Sequence, residues 1–234
     1  MAVTSLQHTR FDPARFNEEI AAHGSKMLWR KALPCPCMNP RSGHADPGCP
    51  LCDALAVIWD AGTEITVLAP GRRRDDRYDV AGSWLEGFVQ LTFPSTLSPG
   101  HFDRIDSLVG VMVVNNEFHV RGATNKLGHS TERLRLGAQV IDVEFCGRVN
   151  DAGDGLVRYE VPTDFVVGFD GSILWEPGHG PAADTQYSLR YTARPSWVCW
   201  SPRERDEAGQ KLPYPVSAQR LDFFRRPGVG EGPV

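Results

Sequence analysis

No stretch of this 234-residue chain offers the roughly 18 consecutive apolar residues that a membrane-crossing helix needs. The opening residues, MAVTSLQHTRFDPARF, lack the apolar segment that follows the charges of an export signal. Both absences read as a soluble, unexported product with no membrane partner. Positive charge is not in excess: 25 Lys and Arg face 29 Asp and Glu, a formal net charge of -4. Apart from Arg72, Arg73 and Arg74 the basic residues are dispersed, which disfavours a broad basic face for duplex DNA. The loop that holds those arginines, GRRRDDRYD, reads as a solvated turn, with a phosphate or acidic neighbour as the sharper alternative.

The signatures of catalysis are missing too. The sequence has no nucleophile elbow, no Gly-rich phosphate cradle and no H-E-x-x-H pattern. His101 beside Asp103, and His119 near Glu117, have the composition of acid–base pairs, but turn or surface histidines account for both. Asp164, Asp170 and Asp184 stand in loop contexts without calcium-loop spacing. No constellation supports catalysis, and the expectation is a protein that is not an enzyme. No internal repeat emerges at a fixed period.

What the chain does hold is length enough for a large core, with 41% apolar residues, 23 Gly and 18 Pro. That composition favours strands and loops over long helices. In FDPARFNEEIAAHGSKMLWRKAL, Asp12 is a candidate N-cap and Pro13 the first helical position. Phe16, Ile20, Met27 and Leu28 recur at roughly helical spacing, so a helical arm interrupted at Gly24 is expected from Pro13 to Lys31.

From Asp53 onward short runs rich in Val, Ile, Phe, Tyr and Trp alternate with Gly, Asn, Asp and Pro. In QYSLRYTA, Tyr187, Leu189 and Tyr191 share one face and Ser188, Arg190 and Thr192 the other. DVEFCG places Val143 and Phe145 on one face by the same rule, and the Asn pair of VNNEFH reads as a tight hairpin turn. Trp175, Trp197 and Trp200 read as core side chains rather than nucleic-acid platforms. The fold class is mainly β, an antiparallel barrel or sandwich with an N-terminal helical arm and a small four-cysteine zinc knuckle. Four regions follow: a helical arm at 1–33, the zinc-knuckle segment at 34–60, the β-barrel or sandwich core at 61–200, and an extended C-terminal tail at 201–234. Leu221, Phe223 and Phe224 are the residues expected to tie that tail down.

The knuckle is the most pointed feature. CPCMNPRSGHADPGCPLC packs Cys35, Cys37, Cys49 and Cys52 into two pairs, with eleven residues between them. Such spacing lets each pair turn two thiolates towards one ion, and four thiolates fill a tetrahedral zinc site. A filled shell is structural; a catalytic zinc keeps one position for water, so a zinc enzyme ranks last. His44 is a substitute ligand for one cysteine of the tighter pair, and iron is the other metal this soft set admits. Two disulfides, or a redox pair at Cys49 and Cys52, are the alternatives to a metal. Cys146 and Cys199, each inside a strand-like run, read as buried free thiols. Arg41 within the loop, with Arg30 and Lys31 before it, keeps a zinc ribbon that binds nucleic acid in view.

Two stretches resemble structural proteins of tailed bacteriophages. HADPGCPLCDALAVIW is similar to the HADP-x-CP-x-C-x-G-x-G knuckle near the N-terminus of some phage virion proteins, with Ala54 and Ala56 where glycines would follow. GSILWEPGHGPAADTQYSLRYTARPSWVCW resembles a phage-tail pattern: a strand ending in I-x-W, a Gly-Pro loop, Y-S-V-x-Y and a second aromatic strand. Leu189 stands in place of that valine. The resemblance implies a virion component assembled in the host cytoplasm, at the neck or head-to-tail connector, as a head-completion, stopper or tail-terminator ring. Its implied partners are like copies in a homo-oligomeric ring and other virion proteins, such as portal or adaptor and tail tube or terminator. Packaged DNA would pass through the channel without sequence-specific binding, which a mildly acidic chain suits. A tail, baseplate or collar and fibre-anchoring protein is the alternative within the particle. The metal would pin the junction between arm and barrel.

Overall fold

Strands bury alternate residues, and the longest alternating runs of this chain form two antiparallel sheets. The computed structural model describes residues 13–46, 49, 51–52, 55–69, 88–124, 130, 132–202, 206–207 and 210–224. In chain order the elements are α1 (Pro13–His23), β1 (Ser25–Arg30), β2 (Ala32–Pro34), β3 (Val57–Trp59), β4 (Thr63–Val67), β5 (Phe88–Phe93), β6 (Arg104–Ser107) and β7 (Met112–Val120). They continue as β8 (Val140–Val149), β9 (Leu156–Arg158), β10 (Phe165–Val167), β11 (Ile173–Trp175), β12 (Gln186–Ala193), β13 (Ser196–Pro202), β14 (Asp206–Glu207), β15 (Gln210–Lys211), β16 (Tyr214–Arg220) and α2 (Leu221–Phe224). Arg72, Arg73, Arg74 and their loop lie outside the described residues.

The first sheet runs β4-β1-β6-β13-β16-β5, every pairing antiparallel. Its outer strands meet at one bridge, Leu68 with Thr92, whose two N–H···O bonds measure 3.0 and 2.8 Å. The sheet therefore curls into a half-barrel around Met27, Trp29, Val67, Phe93, Ile105 and Val216. The second sheet runs β7-β12-β8-β9. Tyr187, Leu189 and Tyr191 point inward from β12 as their alternation requires, and the β10–β11 ribbon covers them through Phe165 and Ile173. Strand β13 joins the layers: Cys199 lies in the half-barrel core and Val198 in the other. Cys146 and Cys199 are buried free thiols, as their strand contexts indicate.

Four details depart from the sequence-based reading. The helix stops at His23, and residues 25–30 form a strand flanked by β4 and β6. Met27 and Trp29 follow a period of two, and that wins because the strand gains partners on both sides. Gly24 marks the change, since a Cβ there would lie 2.4 Å from the Ile20 carbonyl oxygen. The Asn115–Asn116 pair is a β-bulge inside continuous strand β7, with Asn116 at φ +57°, and not a hairpin turn. A second bulge sets Tyr191 opposite Val143 but Arg190 opposite Phe145, so Val143 and Phe145 occupy opposite faces. The region after Ser201 is not simply extended: β16 is an internal strand of the half-barrel, and Leu221 is fully buried.

Two buried glutamates organise the second core. Glu132 accepts hydrogen bonds from Tyr187 Oη (2.7 Å), Gly122 N (2.8 Å), Trp175 Nε1 (3.0 Å) and Arg121 Nη1 (3.2 Å). Glu117 accepts from Tyr191 Oη (2.5 Å) and Arg135 N (2.9 Å), and it contacts His119 Nε2 at 3.1 Å. Burial first, and the adjoining carboxylates second, hold both tyrosine hydroxyls well above the usual phenol range. Each carboxylate is desolvated but fully partnered, so losing one strands several donors. Glu132→Ala should cost about 3–5 kcal/mol, the range for breaking a buried charged network. Urea denaturation measures it, and a loss within about 0.5 kcal/mol, typical of a surface change, would show that Glu132 does not organise this core.

Candidate metal centre

The cysteine segment is an excursion from a short two-stranded stem. β2 and β3 pair as Ala32 with Trp59, Leu33 with Ile58 and Pro34 with Val57, and Cys35 N–H extends the ladder to the Ala56 carbonyl at 2.8 Å. Pro34, Pro36 and Pro40 deny the stretch the donors a helix needs, so it turns instead. Met38 N–H bonds the Cys35 carbonyl at 2.9 Å and Cys49 N–H the Asp46 carbonyl at 3.1 Å. Asn39 shapes the connecting loop, its Oδ1 accepting from Arg41 N at 2.9 Å and its own N–H reaching the His44 carbonyl at 2.9 Å.

These turns gather all four sulfurs. Cys35 Sγ lies 3.7 Å from Cys49 Sγ, Cys37 Sγ lies 3.5 Å from Cys52 Sγ, and every pair is within 4.8 Å. A disulfide would need about 2.0 Å, and all four are free thiols. A tetrahedron of metal–sulfur bonds of about 2.3 Å has edges of about 3.8 Å. Both of these sulfur–sulfur contacts join a cysteine of one pair to a cysteine of the other, so the two turns interlock around a common centre that can hold a metal ion. Ile58 and Ala45 pack against the cluster. His44 is exposed and stands outside the ligand group, so the substitute ligand considered from sequence is not brought in.

The thiols are electrostatically unequal. Backbone N–H groups of Cys52 and Leu51 directed at Cys49 draw its pKa down to about 7. Burial, and then the neighbouring Cys37 thiol, push Cys52 up to about 12, and burial raises Cys37 as well. Four adjacent thiolates repel one another, so full ionisation at neutral pH requires a cation among them. The donor set is soft, suited to zinc or iron, and leaves no protein-free corner for water.

The knuckle is bolted to both cores. Asp103, buried, accepts from Ala32 N at 2.8 Å, Trp29 Nε1 at 2.8 Å and Gly100 N at 2.7 Å. Trp59 Nε1 donates to the Phe102 carbonyl at 2.9 Å, and Arg104 lies 5.4 Å over the Trp59 ring. His101 is an exposed turn residue as expected, whereas His119 lies buried within β7 and is neither at a turn nor at the surface. Asp103 serves the stem, with His101 packed on Phe102 and Trp200, while His119 is buried beside Glu117. Asp164 bonds His179 Nδ1 at 2.8 Å, and Asp170 and Asp184 lie in turns. Trp175 and Trp197 pack on the cores as expected, whereas Trp200 is 46% exposed. Asn39 and the sulfur-facing amides carry no sequence signal beyond a turn-rich composition.

Replacing Cys49 and Cys52 by Ser should raise the protease cleavage rate between Leu33 and Trp59 at least tenfold while the half-barrel resists, because all four sulfurs lie within one excursion. Limited proteolysis followed by mass spectrometry reads this, and an unchanged rate would contradict a structural role for the cluster. After chelation, diamide should form Cys35–Cys49 and Cys37–Cys52 disulfides, each releasing two protons and passing two electrons to the diamide. Peptide mapping that finds Cys35–Cys37 and Cys49–Cys52 links instead would refute the interlocked geometry.

In comparison with protein-family models and with curated proteins, the sequence matches none, so the functional reading rests on the chemistry and placement of the knuckle.

Proposed function

We propose that this chain is a structural component of a tailed-bacteriophage particle, part of the neck or head-to-tail connector, in which a structural zinc held by Cys35, Cys37, Cys49 and Cys52 fixes a contact element to a β body. The observation that carries the reading is the closed four-sulfur shell on a stem anchored by Asp103 and Trp59. A shell of four thiolates gives a metal no open position, and the chemistry left to it is mechanical: it makes a loop-rich segment rigid.

The two motif resemblances support the virion assignment. One spans the second half of the knuckle and β3; the other runs from the turn before β11 through β12 into β13. Ring subunits bind like copies laterally and different proteins above and below, and a rigid knuckle beside two β layers gives such a subunit distinct contact surfaces. No helix among the described residues is long and apolar enough to cross a membrane.

A second reading, a zinc ribbon that binds single-stranded nucleic acid, is favoured by one observation. Trp200 packs tilted against His101 and edge-on to Phe102 at centroid distances of 5.4 and 6.0 Å, and it is half-exposed, leaving ring surface open to a base. The two readings part in one pair of measurements on the purified chain. The virion reading expects about one zinc per chain by elemental analysis and closed rings of one stoichiometry by native mass spectrometry and electron microscopy. Submicromolar binding of single-stranded RNA or DNA that weakens steeply with salt, by a monomer, would overturn it in favour of the ribbon.

A further inference from the structure

The turn joining β10 to β11 carries Phe169, which is 91% exposed. That turn is held firmly. Gly168 N–H donates to the Ser172 carbonyl at 2.7 Å, and Gly171 N–H to the Gly168 carbonyl at 2.8 Å. Asp170 accepts from Ser172 N at 3.0 Å, Ser172 Oγ at 2.6 Å and Arg133 Nη2 at 2.8 Å. Gly171 adopts φ +85°, and a Cβ there would stand 2.5 Å from Gly137 Cα, so the tip is seated on neighbouring backbone. The turn's backbone is held, and it presents an aromatic ring to water at a set place on the surface. Single protruding rings of this kind serve as anchors that fill a partner's recess.

A recess of suitable size lies on the opposite side of the same layer. The two bulges flank β12 at one level, one in β7 and one in β8, beside Arg190. Bulges re-aim side chains, and here they open a cleft of about 550 Å³ whose lining includes Asn115, Asn116, Glu144, Phe145, Arg158 and Arg190. Arg190 Nε pairs with Glu144 Oε2 at 2.7 Å, and the Arg158 guanidinium lies 5.5 Å over the Phe145 ring. Two guanidinium planes and an aromatic edge make a good seat for another ring. Val113 and Phe118, exposed, face the same way from β7 and widen the apolar margin. Leu174, exposed beside the knob on β11, matches them.

We propose that Phe169 of one copy seats in the Phe145–Arg158–Arg190 cleft of the next. The β10–β11 ribbon covers the inner face of the second sheet and the cleft opens on its outer face, so a copy does not fill its own cleft. The contact is head-to-tail, the heterologous kind that closes into rings or extends into filaments. It rests on the ring-forming reading above and names the lateral contact.

The test is sedimentation of the full metal-loaded chain over a concentration series, with Phe169→Asp and Arg190→Glu variants. Both side chains are solvent-facing, so the variants should fold, as circular dichroism would verify. The wild type should associate beyond a dimer, and each variant should weaken association at least tenfold. An equimolar mixture should recover dimers and nothing larger, because Phe169→Asp retains a cleft and Arg190→Glu retains a knob. A wild type that stays monomeric overturns the contact. Rings that survive both substitutions also overturn it and leave the ring reading standing. Filaments or open oligomers abolished by both would keep the contact and sink the ring reading.

Discussion

Asp103 sits where the half-barrel, the foot of the knuckle stem and β13 meet. Its carboxylate takes hydrogen bonds from the Trp29 indole in the half-barrel, from the Ala32 amide at the foot of the knuckle stem and from Gly100 in the turn before β6. Its carbonyl accepts from the Cys199 amide in β13 at 2.8 Å. A buried carboxylate is tolerable only when its oxygens are fully engaged, and engaging them here fixes the stem against the strand that separates the two cores. The knuckle inherits its position from that constraint. A metal would make the excursion rigid within itself, but Asp103 and Trp59 decide where it points.

The two cores solve their polar problems differently. The half-barrel places Asp106, fully buried, between the charged side chains of Arg30 and Arg104, with the Ser196 hydroxyl at 2.6 Å. The second core places Glu117 and Glu132 deep beneath tyrosines and an indole. Such networks specify one packing of the second sheet against the β10–β11 ribbon, since any slip would strand several donors. That order holds the knob on one side of the layer and the cleft on the other in a fixed relation, which a ring contact requires. Knob and cleft lie on opposite sides of this layer, as the proposed head-to-tail contact needs.

What the sequence determined by itself is local. The four-cysteine set, the buried thiols at Cys146 and Cys199 and the alternation of β12 are legible because adjacent residues decide them: ligand spacing, strand period and turn composition. Tertiary structure decided what depends on distant partners. Residues 25–30 became a strand because β4 and β6 lie on either side of them, and β16 became an internal strand because β13 and β5 do. The bulges at Asn116 and beside Phe145 turned side chains that simple alternation assigns to the other face. His44 stayed outside and Asp103 moved inside for the same reason: burial and hydrogen-bond satisfaction are settled by distant chain segments, 71 and 74 residues away for two partners of the Asp103 carboxylate, which no local pattern records.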